Sequence, residues 1–228
     1  VDFLSKMAEW GLTPTPKQLE QFHRYYFFLI EKNQVMNLTA ITEESEVYTK
    51  HFLDSLSIFK AGVLSEQTLL DVGSGAGFPS IPLKIMFPGL RVTIVDALQK
   101  RITFLSELLS LLEISDVELV HGRIEEFERK NHFDIVSARA IAKLPMLCEF
   151  CLPFVKKGGL FISMKSIHYE EELRQSHQAL SKLRGRLKDT ISISLEAELT
   201  NILLVFEKTE NSSPIYPRSF ALMKKKPL

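Results

Sequence analysis

Hydrophobic positions in this chain change their period near residue 67. Before that point they recur at helical spacing. Leu19, Phe22, Tyr26 and Leu29 do so between Pro16 and Asn33, and Phe52, Leu56 and Phe59 follow the helix-start sequence Thr42-Glu43-Glu44-Ser45. Beyond it, short apolar runs at 68–73, 91–96, 117–121, 133–137 and 159–164 predict strands. Between them Ile102, Leu105, Leu109 and Leu112, then Leu144, Leu147, Cys151 and Phe154, keep helical spacing, and Gly158-Gly159 is expected to end the second helix. A helix near 169–183 precedes Ile191, Ile193 and Leu195, which alternate with Ser192 and Ser194, and 201–206 is a continuous apolar run. Too few residues separate these last two strands for a parallel crossover, so they should pair antiparallel.

Strands alternating with helices imply a mostly parallel sheet covered on both faces. The expected fold class is α/β: a Rossmann-like sheet with an antiparallel terminal strand. Its expected parts are a helical cap over 1–66, a ligand-binding domain over 67–210 and a loop-like tail over 211–228.

Composition narrows the class without identifying the chemistry. At 45% hydrophobic and 25% charged residues, the 228-residue chain is globular in character. No apolar run approaches the roughly 18 residues of a membrane span, and the start, Val1-Asp2-Phe3-Leu4-Ser5-Lys6, lacks the pattern of a secretory signal. Two cysteines, Cys148 and Cys151, are too few for a disulfide scaffold or a zinc site, so no metal is expected and a cytoplasmic home is. Net charge is zero, but lysines and arginines cluster at Lys100-Arg101, Lys156-Lys157, Arg184 to Lys188 and Lys224-Lys225-Lys226. Singly, each cluster reads as solvated surface.

The chemistry is concentrated in Leu69-Leu70-Asp71-Val72-Gly73-Ser74-Gly75-Ala76-Gly77-Phe78-Pro79, a buried strand opening onto a glycine turn. The pattern is Gly-x-Gly-x-Gly, not the Gly-x-Gly-x-x-Gly of dinucleotide sites. Pro79 removes a backbone N–H where a pyrophosphate wants donors. Both features disfavour an NAD-linked oxidoreductase and favour a nucleoside with no phosphate before its reactive group, as in S-adenosylmethionine. Asp96 ends the next strand at the spacing of a ribose-binding acid. Ile124-Glu125 follows the third strand, placed to give adenine a backbone donor and an apolar wall. Taken alone, Glu125 reads as a solvated acid at a helix start.

With these segments in order, the chain resembles the RsmG/GidB family, bacterial methyltransferases of guanine N7 in small-subunit ribosomal RNA. The resemblance rests on Asn37-Leu38-Thr39, His51-Phe52-Leu53-Asp54-Ser55-Leu56, the glycine segment Asp71 to Pro79, Val95-Asp96, Lys100-Arg101, Gly122-Arg123-Ile124-Glu125, Ser137-Ala138-Arg139-Ala140, Met164-Lys165 and Tyr216-Pro217-Arg218. It implies S-adenosylmethionine as cofactor and S-adenosylhomocysteine as product. Gly73, Ser74, Gly75, Gly77, Phe78, Asp96, Ile124, Glu125 and Arg139 would hold the cofactor. Lys100, Arg101, Arg123, Lys165 and Arg218 would meet RNA. The implied partner is 16S rRNA, alone or in the 30S subunit or its precursor, with no membrane and the enzyme a monomer. After Tyr216-Pro217-Arg218 the family tail usually carries a glycine and then a proline, whereas this chain reads Ser219-Phe220-Ala221-Leu222.

No Asn/Asp-Pro-Pro-Tyr/Phe segment or Pro-Cys pair points to an exocyclic amine or a pyrimidine carbon as the methyl acceptor. Arg139 ends the fourth strand and is the candidate catalytic residue. It has three readings: a link to the cofactor carboxylate, a hydrogen bond to guanine O6, or a structural ion pair. His51, Asp54 and Ser55, at i, i+3 and i+4, either face the cleft or knit the cap to the sheet. Two other functions stay open from the residues alone: a small-molecule methyltransferase, and a non-catalytic RNA-binding or cell-division factor.

Overall fold

The structure is a computed structural model that describes residues 2–62, 66–196 and 199–228. Among the described residues seven strands form one sheet: β1 Thr68–Val72, β2 Arg91–Asp96, β3 Val117–His121, β4 Phe133–Arg139, β5 Val155–Ser166, β6 Gly185–Glu196 and β7 Leu199–Lys208. Their order is β3-β2-β1-β4-β5-β7-β6. The first five are parallel, while β7 runs antiparallel to β5 and to β6. This is the expected fold class. Order reverses between β1 and β4, and ligands in such sheets lie beyond the carboxyl ends of the strands at that point.

Neighbouring residues of a strand point to opposite faces, so each strand feeds two cores. Leu69, Ile94, Ile135, Ile162 and Leu203 face one; Leu70, Val95, Val136, Phe161 and Leu204 face the other. The first core is closed by α1 Phe3–Glu9, α2 Pro16–Met36, the segment from α3 Glu44–Val47 to α4 Asp54–Leu56, α5 Ser80–Met86 and α6 Gln99–Leu112. The second is closed by α7 Leu144–Cys151, α8 Glu170–Gln175, α9 His177–Leu183 and α10 Phe220–Lys225.

Helix α2 starts at a capping box, in which Thr15 accepts from the Gln18 amide and Gln18 accepts from the Thr15 amide. Its buried face is Gln21, Phe22, Tyr25 and Leu29, so Tyr25 takes the place expected of Tyr26, which is only partly buried. A wide π-turn, Tyr48–Leu53, links α3 to α4 and places both His51 and Asp54 inside.

Three expectations need adjusting. The helix containing Leu144 ends at Cys151 and tightens into a 3₁₀ turn over Leu152–Phe154, because Pro153 offers no N–H to continue it. Gly158-Gly159 therefore lies inside β5 rather than ending a helix, with Gly158 at φ +80° where the register against β4 shifts. The helix expected near 169–183 is two helices meeting at the buried Ser176. Residues 1 and 63–65 of the expected cap, and 197 and 198 of the expected ligand-binding domain, lie outside the described residues.

Candidate functional site

The glycine spacing follows from backbone geometry. Gly73, Gly75 and Gly77 adopt φ values of +68°, +63° and +98°, where side chains are strained. They differ in what surrounds them. A Cβ at Gly77 would come within 2.7 Å of the Tyr25 hydroxyl and 2.8 Å of Ile81 Cγ1, whereas one at Gly75 would meet open space. Gly77 thus lets α2 close on the loop, and Gly75 leaves open space where a side chain would stand. The loop is also tied to β2. The Gly73 amide donates to the Val95 carbonyl at 2.8 Å, and the Gly75 amide to Asp96 Oδ2 at 3.3 Å.

Asp96 is buried at the end of β2. Its Oδ1 accepts from the Leu98 amide at 2.9 Å, and Arg101 lies 3.4 Å from Oδ2. A carboxylate offers about four acceptor positions, so capacity remains for a ribose. Beside it a cavity of about 200 Å³ is lined by Gly73, Asp96, Ile124, Glu125, Ile141 and Phe220. That lies below the roughly 300 Å³ at which small-molecule pockets usually begin. Ile141 narrows it: its Cγ2 lies 3.0 Å from the position a Gly73 Cβ would take. Among the described residues, the buried Ser74 Oγ and Asp71 Oδ1 have no hydrogen-bond partner. An acid, open glycine backbone and an apolar wall fit a nucleoside without phosphates.

Arg139 meets this loop through Phe78. The guanidinium carbon lies 5.0 Å from the Phe78 ring centroid. That ring stacks on His51 at 4.5 Å and on Tyr25 at 5.5 Å. Arg139 Nη1 donates to Asp54 Oδ2 at 3.1 Å and to the Lys50 carbonyl at 3.3 Å; Nη2 lies 3.3 Å from His51 Nδ1. Asn201 of β7 donates to the other Asp54 oxygen at 2.8 Å. Burial, reinforced by the Arg139 charge, pushes the His51 imidazole down to about 4. It is therefore neutral near pH 7. With Nδ1 accepting from arginine, Nε2 carries the proton toward Thr39 Oγ1 at 2.8 Å. Burial pushes the Asp54 carboxyl up, and Arg139 and Asn201 pull it back. Ser55 donates to the His51 carbonyl at 2.5 Å and shapes the turn. The structure thus unites His51, Asp54 and Arg139 in one cluster.

The expected RNA contacts divide by exposure. Lys100 and Arg123 are exposed, and Arg123 lies 3.5 Å from Glu125. Arg101 is half-buried against Asp96. Lys165 and Arg218 both face carboxylates of the protein. Lys165 pairs with Glu172 at 2.7 Å. Arg218 grips the buried Glu149 through its amide, Nε and Nη2, at 3.0, 2.7 and 2.6 Å. Cys148 and Cys151 are buried free thiols on α7, and burial pushes the Cys148 thiol up to about 12.

Sequence reasoning missed Tyr25, Asn201, Ile141 and Phe220 at this site. Tyr25 shares the apolar stripe of α2, the one signal that was readable. Of the others, Ile141 follows β4, Asn201 lies on β7 and Phe220 opens α10.

Residues 18–201 match the GidB family, described as rRNA small subunit methyltransferase G. The chain is 46% identical over 226 residues to the ribosomal RNA small subunit methyltransferase G of Thermoanaerobacter pseudethanolicus, covering 96% of this chain and 94% of that one. It is 46% identical over 233 residues to the protein of that name from Bacillus subtilis, covering 100% and 98%. Among solved structures, TYW2 of M. jannaschii in complex with AdoMet superposes with TM-score 0.55 at 18% identity, covering 68% of this chain and 76% of that one. The ribosomal protein L11 methylase of Lactobacillus delbrueckii does so with TM-score 0.55 at 19% identity, covering 71% and 79%. These two share the fold.

Proposed function

The chain belongs to the GidB family, rRNA small subunit methyltransferase G, and from that membership we propose that it methylates N7 of one guanine in the 16S RNA of the small ribosomal subunit. Phe78 carries the reading. This one ring, on the glycine loop, touches both His51 and Arg139, so the cofactor loop and the charged cluster form one packed unit at the carboxyl edge of the sheet.

The cofactor, S-adenosylmethionine, supplies when bound a methyl carbon made electrophilic by a sulfonium. Asp96 accepts from the ribose hydroxyls. Gly73, Ser74, Gly75, Gly77 and Phe78 form the loop against which the rest of the nucleoside lies, and Ile124 and Glu125 close the base side. Guanine N7 keeps its lone pair at neutral pH, so no residue has to remove a proton from it. The neutral His51, with its N–H turned to Thr39, fits a site without a general base. What the chain must provide is alignment, which can supply about 7–11 kcal/mol of the barrier.

Arg139 has five N–H donors, three of which meet Lys50, Asp54 and His51. The remaining two are available to guanine O6, the acceptor beside N7, or to the cofactor carboxylate. Lys100 and Arg123 would hold the RNA backbone at the rim, a role their exposure supports. The protein as a monomer, divided into cap, cofactor domain and tail, is part of the same proposal.

The test is transfer of a labelled methyl group from S-adenosylmethionine to small-subunit RNA, free and in 30S particles. The product is mapped by the chemical lability of N7-methylguanine. A single labile guanine is expected. Label on an exocyclic amine, or on a small molecule with no RNA present, overturns the assignment.

A further inference from the structure

The segment after Tyr216 is a built part of the ligand cavity. Phe220 opens α10 and lines the same cavity as Gly73 and Asp96. Its ring lies nearly parallel to that of Phe150, at 11° with centroids 6.4 Å apart, and the Arg123 guanidinium sits 5.8 Å from its centroid. Phe150 is 7% exposed, whereas Phe220 is 39% exposed, an open aromatic surface at the cavity edge.

Its position is fixed on two sides. Arg218, two residues earlier, holds Glu149, the neighbour of Phe150, through three hydrogen bonds. Met223, three residues later, is 1% exposed in the core beneath α7. The backbone between these anchors has little freedom, so the ring is held ready rather than left on a loose tail.

We propose that Phe220 is a cofactor-binding residue, the aromatic wall on which the adenine of S-adenosylmethionine stacks, and that Arg218 is the positioning residue that sets this wall through Glu149. The proposal rests on the cofactor reading given above. A purine offers a flat π-face that aromatic side chains bind whatever its hydrogen-bonding edge contacts. Of the two acids lining this cavity, Asp96 suits the ribose; Phe220, Phe150 and Ile124 suit the base.

The test measures S-adenosylhomocysteine binding by calorimetry for the unaltered protein, Phe220→Ala and Phe220→Trp. Loss of one base–aromatic stack should weaken binding by about tenfold in Phe220→Ala, with the thermal midpoint of the ligand-free protein unchanged. Phe220→Trp should bind as tightly as the unaltered protein. Its added indole fluorescence should be quenched on titration, over the background of Trp10, which packs against Phe59 away from the cavity. Equal affinity in Phe220→Ala and no quenching in Phe220→Trp would overturn the wall while leaving the cofactor reading intact. Failure of the unaltered protein to bind S-adenosylhomocysteine would overturn the reading beneath it.

Discussion

Arg139, at the end of β4, and Asp54, at the start of α4, lie 3.1 Å apart as an ion pair in which both side chains are largely buried. The pair joins the N-terminal helices to the sheet at the reaction face. Removing the arginine alone strands a buried carboxylate, which typically costs about 3–5 kcal/mol. Arg139→Ala should therefore lose methylation and also stability. Arg139→Ala combined with Asp54→Asn should recover stability without recovering methylation. Urea unfolding and methyl transfer measured on both variants separate the two effects. Methylation near the unaltered level in either one would remove Arg139 from the site.

Asp96 should dominate recognition of the cofactor sugar. Hydrogen bonds to a charged group contribute about 1.5–3 kcal/mol, so Asp96→Ala should weaken S-adenosylhomocysteine binding about 10- to 100-fold. Calorimetry gives the answer directly, and an unchanged dissociation constant would place the ribose elsewhere.

Gly77 tests the junction between α2 and the loop. Tyr25 donates to the Ala76 carbonyl at 2.5 Å, and a Cβ on Gly77 would collide with that hydroxyl. Gly77→Ala adds strain at φ +98°, so a loss of about 1–3 kcal/mol in urea unfolding is expected. Gly75→Ala shares only the backbone strain, because its Cβ would meet open space, and should cost less. Equal losses would show that Tyr25 makes no demand on the loop.

Two buried groups give the protein opposed pH dependences. Burial holds His51 at about 4, against 6.5 in the unfolded chain, so acidification protonates the unfolded state first and stability falls as pH drops from 6.5 toward 4. Burial raises Asp71 to about 7 from 3.8, so its stabilisation is complete below 3.8 and is lost as pH rises through 7. Each acts with a slope of up to about 1.4 kcal/mol per pH unit, and between pH 4 and 6.5 they offset. Asp71→Asn should expose the His51 slope, with stability rising with pH in that window. His51→Gln should expose the reverse. Urea midpoints across that range decide, and identical pH profiles in both variants would dismiss the opposition.

RNA affinity should depend on salt, because exposed cations displace counterions from phosphates. Lys100→Ala and Arg123→Ala should each lower the slope of log affinity against log salt by about 1. Binding that is indifferent to salt, or to both substitutions, would move the RNA off this rim.

The sheet was legible because buried strands write themselves as apolar runs, and the glycine loop because left-handed backbone at alternate positions demands glycine. Asp96 and Arg139 were legible as polar residues closing such runs. What could not be read was anything that depends on distant segments meeting. The helical stripe of α2 admits either Tyr25 or Tyr26, and only contact with the loop selects Tyr25. Arg218 looks like a free cation until Glu149, 69 residues away, is seen beside it. Lys165 and Glu172 hide each other in the same way, since a sequence shows charge but not who neutralises it.

One further consequence lies in the direction of β7. Asn201 pairs in register with Ser166, the last residue of β5. A strand parallel to its neighbours would begin at the far edge of the sheet, a full strand length from Asp54. By reversing, β7 begins where the others finish and delivers an amide to the Asp54–Arg139 pair. The hairpin on that side of the molecule is therefore more than a border. Sequence changes along it have a direct line to the chemistry, and variants that alter turnover without touching either ligand should be sought there.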